Sequence, residues 1–180
     1  MTLPEITFAN VLDYIGTLAF AISGIRLAST KNFDWFGAYV VGLATAIGGG
    51  TVRDLMLDVP VFWMRNGIYF LITLLALLLV VWFGKVVVRQ KYTWFIFDTI
   101  GLGMFAVIGI EKTLGVGFPF WVAIVMGSVT GAGGGVIRDV FLNEVPLIFR
   151  AEIYAVACVL GGLAYWACNL CGWGNVPCGL

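Results

Sequence analysis

The sequence is written twice, and each copy holds an odd number of apolar segments. The stretch from Asp13 to Ile25 recurs 85 residues later, from Asp98 to Ile110, with Asp, Ile, Gly, Phe, Ala, Gly and Ile in register. At the same offset Gly48, Gly49, Gly50, Arg53 and Asp54 recur as Gly133, Gly134, Gly135, Arg138 and Asp139. A carboxylate-Val-Pro follows each, as Asp58-Val59-Pro60 and Glu144-Val145-Pro146, and Arg65 and Tyr69 match Arg150 and Tyr154. A repeat at fixed period defines the architecture before any local pattern does.

Each copy carries three apolar segments, at residues 8–28, 35–57 and 67–88 and at residues 94–110, 118–142 and 151–170. Most are close to the roughly 20 residues that cross a bilayer as a helix. The chain is 61% hydrophobic and 11% charged, so these segments have no polar face to give to water. Residues 74–83 show none of the apolar/polar alternation of a membrane β-barrel. The expected fold is therefore an all-α integral membrane protein. It comprises a first three-helix repeat (residues 1–92), a second (93–172) and a short tail (173–180). After three crossings the second copy starts on the opposite side, so the two repeats are inverted about an axis in the membrane plane.

Charges narrow the function and orient the chain. Net charge is zero, which gives no field for nucleic acid. There is no histidine, the commonest metal ligand and proton shuttle, and no cofactor is implied. Residues 1–14 lack the basic region of a cleaved leader, so the first helix is expected to insert itself. Arg26, Lys31, Lys85, Arg89, Lys91, Arg138 and Arg150 fall on one side, and Arg53, Arg65 and Lys112 on the other. By the positive-inside rule the N-terminus lies outside. Cys158, Cys168, Cys171 and Cys178 read as small packing residues, because Cys168-x-x-Cys171 has no partner pair to make a metal site.

The triple glycines carry the functional signal. Gly48 lies about 20 Å along its segment and Gly133 about 22 Å along its own, within the hydrocarbon thickness. Each glycine costs a helix interior roughly 0.8–1.0 kcal/mol relative to alanine. Paired helix interruptions at equivalent positions mark a binding site or conduction path in inverted-repeat folds, so a break is expected at both. Gly16, Gly24, Gly101, Gly109, Gly161 and Gly162 read instead as packing residues.

Charged residues follow each triplet directly. An isolated charge at that depth costs at least about 2.5–3.5 kcal/mol, so Arg53, Asp54, Arg138 and Asp139 must pair or face water. Inversion suggests cross-pairing, Arg53 with Asp139 and Arg138 with Asp54; the alternative is that these charges sit near the interface and cap loops, with Pro60 and Pro146 ending the helices soon after. Asp13 and Asp98 sit at segment edges and are expected to cap helices, with a place at a pore mouth as the alternative. Glu111 and Lys112 are expected in a solvated turn, and Trp35, Trp94, Trp121, Trp166 and Trp173 at the membrane interface.

With its paired GGG-x-x-R-D motifs the chain resembles the prokaryotic TRIC channels, the trimeric intracellular cation channels, a family also described as glycine transporters. The resemblance spans both repeats. It implies a multi-pass protein of a bacterial or archaeal inner membrane, assembled as a homotrimer with one pore in each protomer. It further implies conduction of potassium and, less selectively, sodium, through a pore lined by the kinked second and fifth helices. Carried onto this chain, the pore-lining residues are Gly48, Gly49, Gly50, Arg53 and Asp54 with Gly133, Gly134, Gly135, Arg138 and Asp139. Carbonyls freed at the glycines would replace part of the ion's hydration shell, and the arginines would act as gates or locks. The family's seventh helix has no counterpart among the six segments read before Leu180. A second reading of the same helices is a secondary carrier for a small zwitterion such as glycine. An intramembrane enzyme ranks last, for want of a nucleophile–base pair.

Overall fold

In the computed structural model, residues 8–83 and 93–150 are described. Among them the chain is wholly helical: α1 Phe8–Ser29, α2 Trp35–Met56, α3 Phe62–Arg65, α4 Ile68–Trp82, α5 Thr93–Gly115, α6 Phe120–Phe141 and α7 Leu147–Arg150. Helices α1, α2, α5 and α6 are long and apolar enough to cross a membrane, while α4 is described over 15 residues. The expected third crossing is thus described as far as Phe83. The sixth segment, the four cysteines, Gly161, Gly162, Trp166 and Trp173 lie outside the described residues.

The two copies share their local chemistry. The helix starts are an exception, since Asp34 caps α2 by accepting a hydrogen bond from the Gly37 N–H at 2.7 Å, while Pro119 before α6 makes no side-chain cap. After α2 the chain turns through Asp58 at φ 54°, and after α6 through Asn143, also at φ 54°. Asp and Asn tolerate this left-handed conformation better than most residues, and the positions are equivalent in the repeat. Each turn feeds one short helix, α3 or α7.

The core forms where the copies meet. Phe20 packs against its own equivalent, Phe105, with ring centroids 5.1 Å apart and the rings tilted by 51°. Gly16 of α1 faces Phe105, and its equivalent Gly101 of α5 faces Phe20. Along this seam rising numbers on α1 meet falling numbers on α5, so the two helices are antiparallel. Reciprocal contacts between equivalent residues are what a two-fold relation produces. Around them pack Ala21, Ile25, Val41, Ala46, Leu102 and Ala132. Outward stand Phe36, Leu71, Leu78 and Val125, the apolar rim that a bilayer solvates.

Candidate functional site: a glycine crossing between two charge clusters

Helices α2 and α6 stay α-helical through their glycines, so the expected breaks are absent. The triplets serve close approach instead. A Cβ on Gly49 would fall far inside contact distance of the Thr130 carbonyl oxygen, and one on Gly134 would do the same at Thr45. Gly48 abuts Ile137 and Gly50 abuts Phe62. Backbone therefore packs on backbone at the crossing, the use of glycine that membrane helix pairs favour. Thr45 and Thr130 are fully buried, and each donates its hydroxyl at 2.6 Å to the carbonyl four residues earlier, Val41 and Met126. Each is also held by a packing glycine, Gly24 against Thr45 and Gly109 against Thr130.

The Arg-Asp pairs lie in the last turns of α2 and α6. Arg53 Nε donates to Asp54 Oδ1 at 2.8 Å, and Arg138 Nε to Asp139 Oδ1 at 2.8 Å. The expected cross-pairing is thus replaced by pairing within each motif. Neighbouring helical residues diverge at the Cβ, but the long arginine side chain folds back to reach its neighbour. The second carboxylate oxygen fixes the following loop: Asp54 Oδ2 accepts from Phe62 N–H at 3.0 Å, and Asp139 Oδ2 from Leu147 N–H at 3.1 Å. One aspartate therefore holds both the guanidinium and the first residue of the next short helix.

Beyond this shared clamp the two ends differ. At the α2 end, Lys112 of the other repeat donates to both oxygens of Asp54, at 2.8 and 2.9 Å. The Arg53 guanidinium lies 5.9 Å from the Phe62 ring centre. Tyr69 donates its hydroxyl to Asp13, and its ring meets Phe62 edge-on at 4.6 Å. At the α6 end, Arg138 is fully buried and bridges three helices. It donates to Ser23 of α1 at 2.8 Å and pairs with Asp98 of α5. Its guanidinium lies over the Trp94 ring at 5.3 Å. A cavity of about 220 Å³ opens beside it, lined by Leu27, Trp94, Asp139, Glu144, Val145 and Leu147.

Several expectations change at these clusters. Asp98 is no helix cap: it sits inside α5, wholly buried, as the counterion of Arg138. Asp13 likewise lies within α1 and is held by Tyr69. Lys112 is not in a solvated turn, because α5 continues to Gly115 and carries the lysine to Asp54. Trp94 lies over an arginine as well as near a helix end, whereas Trp35 and Trp121 are well exposed. Ser23, Tyr69 and Lys112 were not expected at the site. The repeat held a clue to one of them, since Asp98 and Asp13 match and a buried acid needs a donor.

These features define a class: a multi-pass helical membrane protein whose two like halves pack through glycine and bury charge at both ends of the crossing. Comparison with known proteins gives the family. The model of the family described as glycine transporter matches residues 10–85 and again residues 95–169. The UPF0126 inner membrane protein YadS of Escherichia coli is 42% identical over 160 residues, covering 86% of this chain and 75% of that protein. The UPF0126 membrane protein YvgT of Bacillus subtilis is 42% identical over 157 residues, covering 86% and 77%. Among solved structures, the TRIC trimeric intracellular cation channel orthologue from Rhodobacter sphaeroides superposes with a TM-score of 0.85 at 36% identity, covering 93% of this chain and 86% of that one. A prokaryotic TRIC channel solved in 0.5 M KCl gives 0.83 at 33% identity, covering 89% and 83%. The chain belongs to this family, in which the glycine-transporter model, the UPF0126 membrane proteins and the TRIC channel structures meet.

Proposed function

We propose that the protein is a monovalent cation channel, permeable to potassium and less selectively to sodium. In this reading it is a homotrimer with a conduction path inside each protomer and the N-terminus outside. The observation that carries the proposal is the similarity to the Rhodobacter sphaeroides cation channel orthologue over nearly the whole chain. The ion path runs along α2 and α6, past Gly48, Gly49, Gly50, Arg53 and Asp54 and past Gly133, Gly134, Gly135, Arg138 and Asp139. Carboxylates at each end attract cations, and the guanidinium beside each sets a barrier until it swings aside. The tight glycine crossing is a closed state. Helix surfaces without side-chain knobs slide past one another with little steric penalty, so shear along α2 and α6 opens the path.

The orientation follows from the grouping of charges. Arg26, Lys31 and Arg138 gather at the end that faces the cytoplasm by the positive-inside rule, and Arg53 and Lys112 at the other. A carrier of a small zwitterion is the second reading, favoured by the description of the matching family. In that case the arginine and aspartate pairs would hold the carboxylate and ammonium of one solute. Purified protein in a planar bilayer decides between them. Unitary current steps with a reversal potential following the potassium gradient support the channel. Saturable exchange of labelled glycine in vesicles, without current steps, overturns it. Cross-linking of detergent-solubilised protein reads the trimer.

A further inference from the structure

At the α6 end the shared clamp carries a further link that reaches the surface. Lys31, in the turn between α1 and α2, forms a salt bridge with Glu144, in the turn between α6 and α7. The bridge joins the two repeats, since Lys31 belongs to the first copy and Glu144 to the second. Both turns are fixed by left-handed asparagines, Asn32 at φ 59° and Asn143 at φ 54°. Glu144 is also tied inward, because its N–H donates to the Asp139 carbonyl at 2.9 Å. Glu144 is among the residues that line the 220 Å³ cavity, with Asp139 and Trp94, both of which contact Arg138.

A continuous set of links therefore runs from the surface to the buried charges. Lys31 holds Glu144; the backbone of Glu144 holds Asp139; Asp139 holds Arg138; and Arg138 holds Ser23 and Asp98. The opposite end repeats the inner links. There Val59 N–H donates to the Asp54 carbonyl at 3.0 Å, as Glu144 does to Asp139. Among the described residues the outer link has no counterpart. At the 85-residue offset that relates the inner links, Val59 stands for Glu144 and Val116 for Lys31. Asp58, which opens the matching carboxylate-Val-Pro, stands one residue earlier, at the left-handed turn position. Duplication explains the inner links but not the Lys31–Glu144 pair, which has no equivalent at the other end among the described residues.

We propose that Lys31 and Glu144 form an ionic strap beside the cavity lined by Glu144, Asp139 and Trp94, setting how readily the Arg138 cluster rearranges. Both side chains are partly exposed, 41% and 34%. Such a pair shifts an equilibrium by no more than roughly fivefold, and salt weakens it. That suits an adjustable restraint and not a lock. Its effect on conduction rests on the channel reading; its existence does not.

The test uses K31E, E144K and the K31E/E144K swap in the full chain. Hydrogen exchange of the Glu144 and Leu147 amides reads the strap directly. Each single reversal is expected to speed exchange by up to roughly fivefold, and the swap to restore it. Equal exchange in all variants, or a swap that adds the two single effects, overturns the strap whether or not the protein conducts. In planar bilayers each single reversal is expected to raise open probability by a similar factor, with rescue in the swap. Restored exchange in the swap with unchanged gating in the single variants overturns the regulatory role. Absence of current from the unaltered protein would count against the channel reading alone, and exchange would still judge the strap.

Discussion

Gly49 rests against the carbonyl of Thr130, and Gly134 rests in the same way against the carbonyl of Thr45. Alanine ordinarily improves a helix by about 1 kcal/mol over glycine. Here the added methyl has nowhere to go, because the atom it meets is backbone. Overpacking of this kind costs about 1–3 kcal/mol, so the sign reverses. Gly49→Ala and Gly134→Ala should each lower the melting temperature in detergent. Gly103→Ala, on an exposed face of α5 with open space around it, should raise it slightly. If all three stabilise the protein, the crossing is looser than the geometry states.

The duplication, its odd segment count and the glycine motifs were legible because they depend on order along the chain. What the glycines do was not. Close approach and a helix break leave the same Gly48-Gly49-Gly50 in a sequence, and only the facing Thr130 carbonyl distinguishes them. The pairing of Arg138 was hidden for a similar reason. Its partners Ser23, Asp98 and Asp139 come from three helices, and which of several acids an arginine reaches depends on helix rotation. Lys112 was misplaced because a Glu-Lys pair followed by glycines resembles a turn, although α5 runs one further turn through it.

Arg53 and Arg138 occupy equivalent positions but should differ in cost when removed. Arg138→Ala takes the guanidinium from two buried carboxylates, Asp98 and Asp139, leaving Asp139 with the Leu147 N–H, and breaking a buried pair costs about 3–5 kcal/mol. Arg53→Ala leaves Asp54 with Lys112 and the Phe62 N–H. It should cost clearly less. Thermal unfolding of the two variants in the same detergent makes the comparison. Adding Asp98→Asn to Arg138→Ala should recover part of the loss, since one buried charge is then removed with its partner.

Asp54 and Asp139 each hold the first amide of the next short helix. Alanine there leaves that amide without its acceptor, a loss of about 1–3 kcal/mol where it is shielded from water. Asparagine keeps one carbonyl oxygen but loses the charge. Amide exchange at Phe62 should therefore rise strongly in Asp54→Ala and less in Asp54→Asn, with Leu147 unchanged. The converse holds for Asp139. Equal responses at both amides would mean that the carboxylates act through general stability and not through these two bonds.

Lys112 gives the sharpest test of conduction, because it is a charge in the buried clusters that the duplication did not copy. Leu27 stands at the equivalent position of the first repeat. The lysine side chain is 31% exposed and crosses to Asp54, so it raises the potential at one mouth of the proposed path. At an effective dielectric of about 20, a unit charge roughly 8 Å from a passing ion repels it by about 2 kcal/mol before screening. Lys112→Met leaves Asp54 with Arg53 and the Phe62 amide, so the fold should persist. Cation current entering from that mouth should then rise at low ionic strength, while current entering from the Arg138 mouth changes little. The resulting rectification should fade as salt is raised, because the Debye length falls to about 3 Å at 1 M. Lys112→Arg keeps the charge and should leave the current–voltage curve near that of the unaltered protein. A symmetric curve for Lys112→Met at low salt would remove Lys112 from the ion path.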